Sequence, residues 1–237
     1  MTLMLGRLPA VRPHGLKTLS AYATKRLPAP PKAVEYGRGV TGWGMDANDR
    51  YGCCTIAGAA HLLAAWDSEV SEHDPVPNAD DVIDQYLRIT GGQDTGCVEA
   101  DVLSLWHRSG LFGGAPIAGY APVDPRDIIA VHQAIAFYGG AYLGVTLPES
   151  AEEQFADGAR WTVEPGSPVL GGHCVVAVGY DSLGLSCVTW GKVARVTYPW
   201  LSAYMDECWA IVPHQFVEAA RGPALDLESL EADLAAL

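Results

Sequence analysis

The chain has 237 residues, of which 49% are hydrophobic and 18% are charged. This balance predicts a folded domain with a substantial core rather than a disordered chain. The formal net charge of −13 argues against a nucleic-acid partner, because phosphate binding needs clusters of Lys and Arg. The first residues lack the apolar core of a secretory signal, and no later run has the length of a membrane span, so we expect a soluble protein without membrane contact.

The N-terminal residues 1–27 are predicted to form an extended arm. Several prolines and basic residues lie in or directly after this stretch, and that density of proline prevents a long helix, although 16–25 has room for one or two helical turns. A basic arm on an acidic chain either packs on its own domain or docks on an acidic partner. We prefer packing on its own domain.

A polar, glycine-containing turn precedes the first predicted helix, which covers 55–66 and is apolar nearly all round. A helix of this kind is buried in the centre of a domain. Cys54 lies where the turn becomes the helix, and there the helix dipole and the unpaired N–H groups favour thiolate over thiol. His61 lies two turns further along the helix, too far to serve that thiol, and we interpret it as a histidine at the edge of the core.

The rest of the chain changes from helical to strand-like spacing. Apolar periodicity predicts helices over 80–89, 98–110 and 125–140, a surface loop over 71–78, and strands over 141–147, 174–180, 185–190, 194–198 and 207–212. Helices followed by antiparallel strands indicate an α+β fold, with a helical lobe facing an antiparallel sheet or half-barrel lobe. The acidic, Leu-rich tail at 218–237 is either an amphipathic helix or a mobile end.

The six cysteines favour free buried thiols over a disulfide framework, because Cys53 and Cys54 are adjacent and the others lie mostly in apolar stretches. For Cys53 we prefer a small packed side chain over a resolving thiol for redox control. Cys53, Cys54, His173 and Cys174 have the residue types of a zinc site, but the C-x-x-C spacing of structural zinc is absent. We therefore expect neither a metal nor another cofactor.

A second polar motif lies far from Cys54 in the sequence. His173 follows Gly171 and Gly172 at the start of a predicted buried strand, where bare backbone lets another chain pass close by. A nucleophilic thiol needs an imidazole within hydrogen-bond reach, and the two residues are often distant in sequence. An early cysteine and a late histidine fit that requirement.

These motifs resemble the papain-like cysteine peptidase superfamily, in the divergent form found in actinobacteria and their phages. The resemblance covers about four-fifths of the chain, and three segments carry it, namely 52–55, 171–181 and Trp190-Gly191. It implies a two-lobed papain-like domain over 28–217, between the arm and the tail, with a central buried helix.

The resemblance also implies roles for particular residues. Cys54 would be the nucleophile and His173 its base, and Asn48 would hold the oxyanion where the family places a glutamine. Gly172 and Trp190 would form the wall of the cleft.

One position departs from the family pattern. Val188 occupies the place of the asparagine that orients the histidine, and valine cannot hydrogen-bond an imidazole. Either Thr189 or a backbone carbonyl orients His173, or the site is impaired.

Two functions follow as alternatives. The first is a papain-like thiol hydrolase, a peptidase or amidase acting on a peptide or protein substrate. The second is a catalytically impaired papain-fold protein that binds assembly partners through its arm and tail, with a phage particle among the options. The corresponding locations are the cytoplasm or a virion. The substrate, the oligomeric state, and the role of the arm as propeptide, cleft-blocking strand or tether stay open.

Overall fold

The computed structural model describes residues 3–69, 76–114, 116–218 and 224–237. The α-helices are α1 Cys54–Asp67, α2 Ala79–Ile89, α3 Glu99–Ser109, α4 Ile128–Tyr138, α5 Glu149–Ala156, α6 Tyr198–Tyr204, α7 His214–Glu218 and α8 Leu227–Ala235. The strands are β1 Val34–Glu35, β2 Gly119–Pro122, β3 Ala141–Pro148, β4 Val169–Tyr180, β5 Gly184–Thr189, β6 Lys192–Thr197 and β7 Met205–Val212. The predicted α+β class with an antiparallel sheet is confirmed.

One antiparallel sheet organises the strands in the order β2-β7-β3-β4-β5-β6. The short strand β1 pairs with the end of β4 at Gly179 and Tyr180, beyond the last pair that β4 makes with β3. The long strand β4 therefore lies inside the sheet, and most of its residues are fully buried.

Helix α1 packs directly on β4. The helix is buried along most of its length, as its apolar composition predicts. Gly58 permits the close approach, because a Cβ at this position would lie 3.0 Å from the Tyr142 ring and 3.2 Å from Cys174 Sγ. The first turns of α1 therefore lie against the middle of β4, close to Cys174.

The predicted helices over 55–66, 80–89 and 98–110 match α1, α2 and α3 to within a residue or two. Helix α4 begins three residues later than predicted, because the Asp127 side chain accepts from the N–H groups of Ile129 and Ala130 and caps the helix there. The sequence pattern does not predict β2, α5 and α6, which are short. Of the predicted loop at 71–78, residues 71–75 lie outside the described part of the chain.

The arm and the tail of the chain hold each other. Ala23 bridges to Leu225, and the N–H of Asp226 donates to the Tyr22 carbonyl at 2.7 Å. The arm contains a short 3-10 helix at Leu19–Ala21, and the tail contains α8. Both termini thus contact other parts of the same chain, and the boundaries 28–217 for the central domain stay a prediction.

Replacing Tyr22 with Phe is expected to lower the free energy of unfolding by about 1 kcal/mol. The buried Tyr22 hydroxyl donates to Asp233 at 2.8 Å and accepts from the N–H of Lys17 at 3.0 Å, so it joins arm to tail. Urea unfolding measures the change, with Tyr204→Phe on α6 as the control. Equal losses of unfolding free energy for Tyr22→Phe and Tyr204→Phe would contradict the role of the Tyr22 hydroxyl in joining arm to tail.

All six cysteines are buried and unpaired, as the sequence predicts. Within the described residues, no helix combines the length and the apolar character needed to cross a bilayer.

Candidate active site

Cys54 is the first residue of α1, and Cys53 is its N-cap. The preceding turn is strained, since Asp46 and Ala47 have φ values of 50° and 60°, which are unfavourable for residues other than glycine. Cys53 is fully buried and its thiol donates to the Asp46 carbonyl at 3.4 Å. These contacts agree with a packed role for Cys53.

His173 lies in β4 with its ring fully buried. Its Nε2 is 2.7 Å from the Thr189 hydroxyl oxygen, and its ring stacks on Trp190 with centroids 4.3 Å apart. Of the alternatives left open by the sequence, the geometry therefore favours Thr189 as the group that orients the imidazole. Val188 is buried and pairs with Val176 of β4.

Asn48 stabilises the turn before α1. Its Nδ2 donates to the Tyr51 carbonyl at 3.1 Å, and its backbone N–H donates to the Met45 carbonyl at 3.0 Å. A side-chain amide nitrogen carries two hydrogens, and Tyr51 accepts one of them. The second hydrogen forms no hydrogen bond within the described residues.

A segment of the arm lies across this group of residues. We call residues 3–8 the cleft segment. The N–H of Met4 donates to the Asn48 carbonyl at 3.0 Å, and Trp190 Nε1 donates to the Met4 carbonyl at 3.3 Å. The N–H of Arg7 donates to the Gly172 carbonyl at 3.2 Å. The predicted site residues thus surround a peptide backbone that belongs to the same chain.

The other side of the cleft segment pairs with Cys97, just before α3. The N–H of Cys97 donates to the Gly6 carbonyl at 2.9 Å, and the N–H of Leu8 donates to the Cys97 carbonyl at 2.9 Å. These two bonds and the bond to Gly172 hold the backbone between the helical part and the sheet. These bonds use main-chain atoms only, so a peptide of another sequence could form them if it has glycine at the position of Gly6.

Glycines make room for the cleft segment on both sides. A Cβ at Gly52, Gly96 or Gly172 would lie under 3.0 Å from a carbonyl oxygen of the segment. A Cβ at Gly6 would in turn lie under 3.0 Å from the Gly52 backbone. The fit therefore leaves no space for a side chain at Gly6.

The buried site is uncharged in this arrangement. Burial raises the pKa of the Cys54 thiol to about 12, although N–H groups of Cys174 and Gly6 lower it in part. Burial, with smaller effects from the charges of Arg7 and His61, lowers the pKa of His173 to about 3. The prediction that the helix N-terminus favours thiolate is wrong for this state, because desolvation outweighs the dipole.

Cys54 and His173 come from the adjacent elements α1 and β4. The backbone N–H of Cys174, the next residue after His173, lies close enough to the Cys54 sulfur to stabilise a thiolate there. His173 Nδ1 is buried and has no hydrogen bond within the described residues. If Nε2 carries the proton and donates to Thr189, Nδ1 has a lone pair available as a base.

The sequence interpretation of His61 fits its surroundings. The residue is 3% exposed, and its Nε2 lies 2.8 Å from the Gly44 carbonyl and 3.1 Å from Asp46 Oδ2. It therefore supports the strained turn before α1 and lies away from the thiol.

Arg7 anchors the cleft segment, and sequence reasoning missed this role. Its guanidinium is buried, and Nε and Nη2 donate to Glu207 at 3.1 and 2.9 Å. Nη2 also donates to Asp206, and Nε lies 3.5 Å from a carboxylate oxygen of Glu99. The basic character of the arm was the only signal in the sequence, and it did not single out Arg7.

No protein-family model matches the sequence, and the search of curated proteins found no match. The structure is similar to xylellain, a cysteine protease from Xylella fastidiosa, with a TM-score of 0.68 at 15% identity over 90% of this chain and 97% of that one. It is also similar to the Carica candamarcensis cysteine protease CMS1MS2, with a TM-score of 0.58 at 15% identity over 77% of this chain and 99% of that one.

A third similar structure contains the cysteine protease and lectin-like domains of Cwp84 from Clostridium difficile. Its TM-score is 0.56 at 12% identity, over 88% of this chain and 55% of that one. Identities this low establish a fold and leave the chemistry to the residues of the site. The chain has the papain-like cysteine protease fold.

Proposed function

We propose that the protein is a papain-like thiol hydrolase that cleaves peptide or related amide bonds, and that the cleft segment occupies its substrate cleft in the state described above. One observation carries the proposal. A peptide backbone passes between a cysteine at a helix N-terminus and a strand with a buried, oriented histidine. A substrate peptide would need the same path.

The chemistry follows from the groups that meet there. Once the cleft segment has left, water enters and the Cys54 thiol transfers its proton to His173 Nδ1. The thiolate attacks the substrate carbonyl carbon, and the Cys54 N–H and the second Asn48 amide hydrogen donate to the oxygen that becomes negative. His173 returns the proton to the leaving amine, and water then hydrolyses the thioester to release the acid and the thiol.

We call the arrangement with the cleft segment in the cleft the closed state. It excludes this reaction for two physical reasons. The cleft segment covers the Cys54 thiol, and burial favours the neutral forms of both Cys54 and His173. The positive charge of Arg7 further disfavours the imidazolium of His173. Displacing the segment removes both effects together.

The test uses the 237-residue chain with Gly6→Val and Arg7→Ala, which we call the open-cleft variant. The introduced valine side chain has no space against the Gly52 backbone, and Arg7→Ala removes the guanidinium that anchors the segment. We expect this variant to hydrolyse members of an internally quenched peptide library, and Cys54→Ala in the same background to abolish hydrolysis. Hydrolysis that persists after Cys54→Ala would overturn the proposal. A folded open-cleft variant that hydrolyses no peptide would also overturn it.

In the open-cleft variant, Thr189→Val is expected to lower kcat by about 10- to 100-fold with little change in KM. Valine has the shape of threonine but cannot accept a hydrogen bond from the Nε2–H group of His173. Thr189→Ser keeps the hydroxyl and should retain most of the turnover. Steady-state kinetics on one peptide measures the effect, and equal rates for the Val and Ser variants would exclude an orienting role.

The alternative function, an impaired papain-fold protein that binds assembly partners, relies on the arm and the tail. In this structure both make contacts within the chain, where Lys17 Nζ pairs with Asp233 at 2.8 Å and the cleft segment fills the cleft. Those contacts favour the hydrolase over the assembly role. A folded, open-cleft variant without hydrolysis would reverse that preference.

A further inference from the structure

A pocket with three carboxylates opens from the cleft beside Cys54. Glu99 is the first residue of α3, and Asp206 and Glu207 follow each other in β7. Glu99 is fully buried, Glu207 is 6% exposed, and the Asp206 side chain is 45% exposed. Arg7 of the cleft segment fills the pocket in the closed state.

Glu207 and Asp206 are held by groups other than Arg7, whereas the buried Glu99 oxygens have no hydrogen bond within the described residues. Trp209 Nε1 donates to Glu207 Oε1 at 2.9 Å, and the Thr146 hydroxyl donates to Asp206 Oδ2 at 3.0 Å. Gly144 leaves the floor open, because a Cβ there would lie under 3.0 Å from three atoms of the guanidinium group. The pocket is therefore formed by residues of the sheet together with Glu99 of α3.

An empty pocket would be unfavourable. Burial raises the pKa of Glu99, and the charges of Glu207 and Asp206 raise it further. Burial also raises the pKa of Glu207, with a smaller contribution from Asp206, and the charge of Arg7 offsets part of the effect on both groups. Buried carboxylates that lose their cation are costly to leave unpaired. A cationic side chain is consequently the ligand that this pocket stabilises best.

The position of the pocket relates it to the chemistry. The backbone N–H of Gly6 reaches the Cys54 sulfur, and the next residue, Arg7, extends into the pocket while its N–H bonds to Gly172. A peptide with one residue at the sulfur therefore places a neighbouring side chain among the carboxylates.

We propose that, after the cleft segment leaves, Glu99, Asp206 and Glu207 bind an arginine side chain of the substrate, next to the residue whose carbonyl Cys54 attacks. This inference rests on the proposed function. Arginine fits better than lysine, because Nε and Nη2 both donate to Glu207 and Nη2 also donates to Asp206, and the planar fork of donors that makes these bonds is absent from a lysine ammonium group. A glutamate at the same position would meet three acidic side chains and no cation, so the pocket disfavours it.

The first experiment measures cleavage by the open-cleft variant. Internally quenched peptides carry Arg, Lys, Leu or Glu on either side of the attacked residue, and mass spectrometry identifies each cleaved bond. We expect Arg to exceed Leu in kcat/KM by on the order of a hundredfold, with Lys between them and Glu the slowest. Cleavage without a basic preference on either side would overturn the inference and leave the proposed function intact.

Glu207→Gln in the open-cleft variant tests the pocket itself. We expect it to reduce the Arg to Leu ratio by about tenfold, because the amide keeps the size but loses the charge. Asp84→Asn makes the same change of charge at an exposed position on α2 and should leave the ratio unchanged. An unchanged ratio in both variants would show that Glu207 does not select the side chain.

A binding measurement separates this inference from the proposed function. A synthetic peptide of residues 3–9 and its Arg7→Leu form are titrated into the open-cleft variant by calorimetry, with the single variant Gly6→Val as a second host should the double variant not fold. We expect the Arg peptide to bind at least tenfold tighter, and equal affinities would overturn the pocket assignment. Tight, Arg-dependent binding with no cleavage of any peptide would overturn the proposed function and the substrate role together.

Discussion

Displacing the cleft segment is expected to raise the rate of Cys54 alkylation at pH 7 by on the order of a thousandfold. Alkylating reagents react with thiolate, and burial raises the pKa of Cys54 to about 12 in the closed state. A cysteine in contact with water has a pKa of about 8.5, and a helix N-terminus lowers it further. The gain therefore comes from a larger thiolate fraction, before any gain in access is counted.

Iodoacetamide labelling of wild type and the open-cleft variant between pH 6 and pH 10 measures the effect. In the wild type the rate should keep rising across the range, and in the open-cleft variant it should level off near or below the ordinary cysteine pKa. Cys54→Ala identifies the labelled residue. Val11→Ala, at an exposed position of the arm outside the cleft segment, should label as slowly as wild type. Equal profiles for wild type and the open-cleft variant would mean that the segment does not protect the thiol.

The fold could be predicted from sequence because its main elements have strong apolar periods. Helix α1 is apolar on nearly every face and is predictable to within a residue of its ends. The buried run of β4 is also predictable, but the strand begins at Val169, five residues before the predicted start at 174, because its first four residues are exposed or half-buried. Helix α6 cannot be predicted in this way, because it begins directly after β6. Thr197 is both the last residue of that strand and the N-cap of the helix. A seven-residue helix contains too few turns to show a period.

The orienting residue of the histidine depends on strand register. Side chains alternate across a strand, so Val188 and Thr189 of β5 point to opposite faces. The resemblance to papain-like peptidases directs attention to Val188, but Thr189 lies on the face of His173 and bonds to it. The sequence contains both candidates, and only the pairing of β5 with β4 distinguishes them.

The state of the site could not be predicted, because it depends on residues that are remote in sequence. Glu99 has the appearance of an ordinary acid in the first turn of a helix, and Glu207 that of a polar residue in a strand. The fold brings them together around Arg7, and the N–H of the preceding residue, Gly6, lies at the Cys54 sulfur. The helix dipole at Cys54 was predictable from a local pattern, whereas the burial that outweighs it was not.

The closed state is expected to lose stability at acid pH. Burial lowers the pKa of His173 from 6.5 to about 3, so the unfolded chain binds a proton between these pH values while the folded chain does not. The contribution of His173 to stability is complete above about pH 6.5 and is lost as the pH falls toward 3. The full loss is about 5 kcal/mol, at roughly 1.4 kcal/mol per pH unit.

Urea unfolding of wild type and His173→Gln between pH 4 and pH 8 isolates this contribution. Glutamine keeps a polar group near Thr189 but does not titrate in this range, so the difference in unfolding free energy between the two proteins should shrink as the pH falls. The same substitution at the exposed His14 serves as the control. Parallel curves for wild type and His173→Gln would mean that His173 is not held neutral. In that case the inference that Cys54 and His173 are both uncharged in the closed state would be wrong.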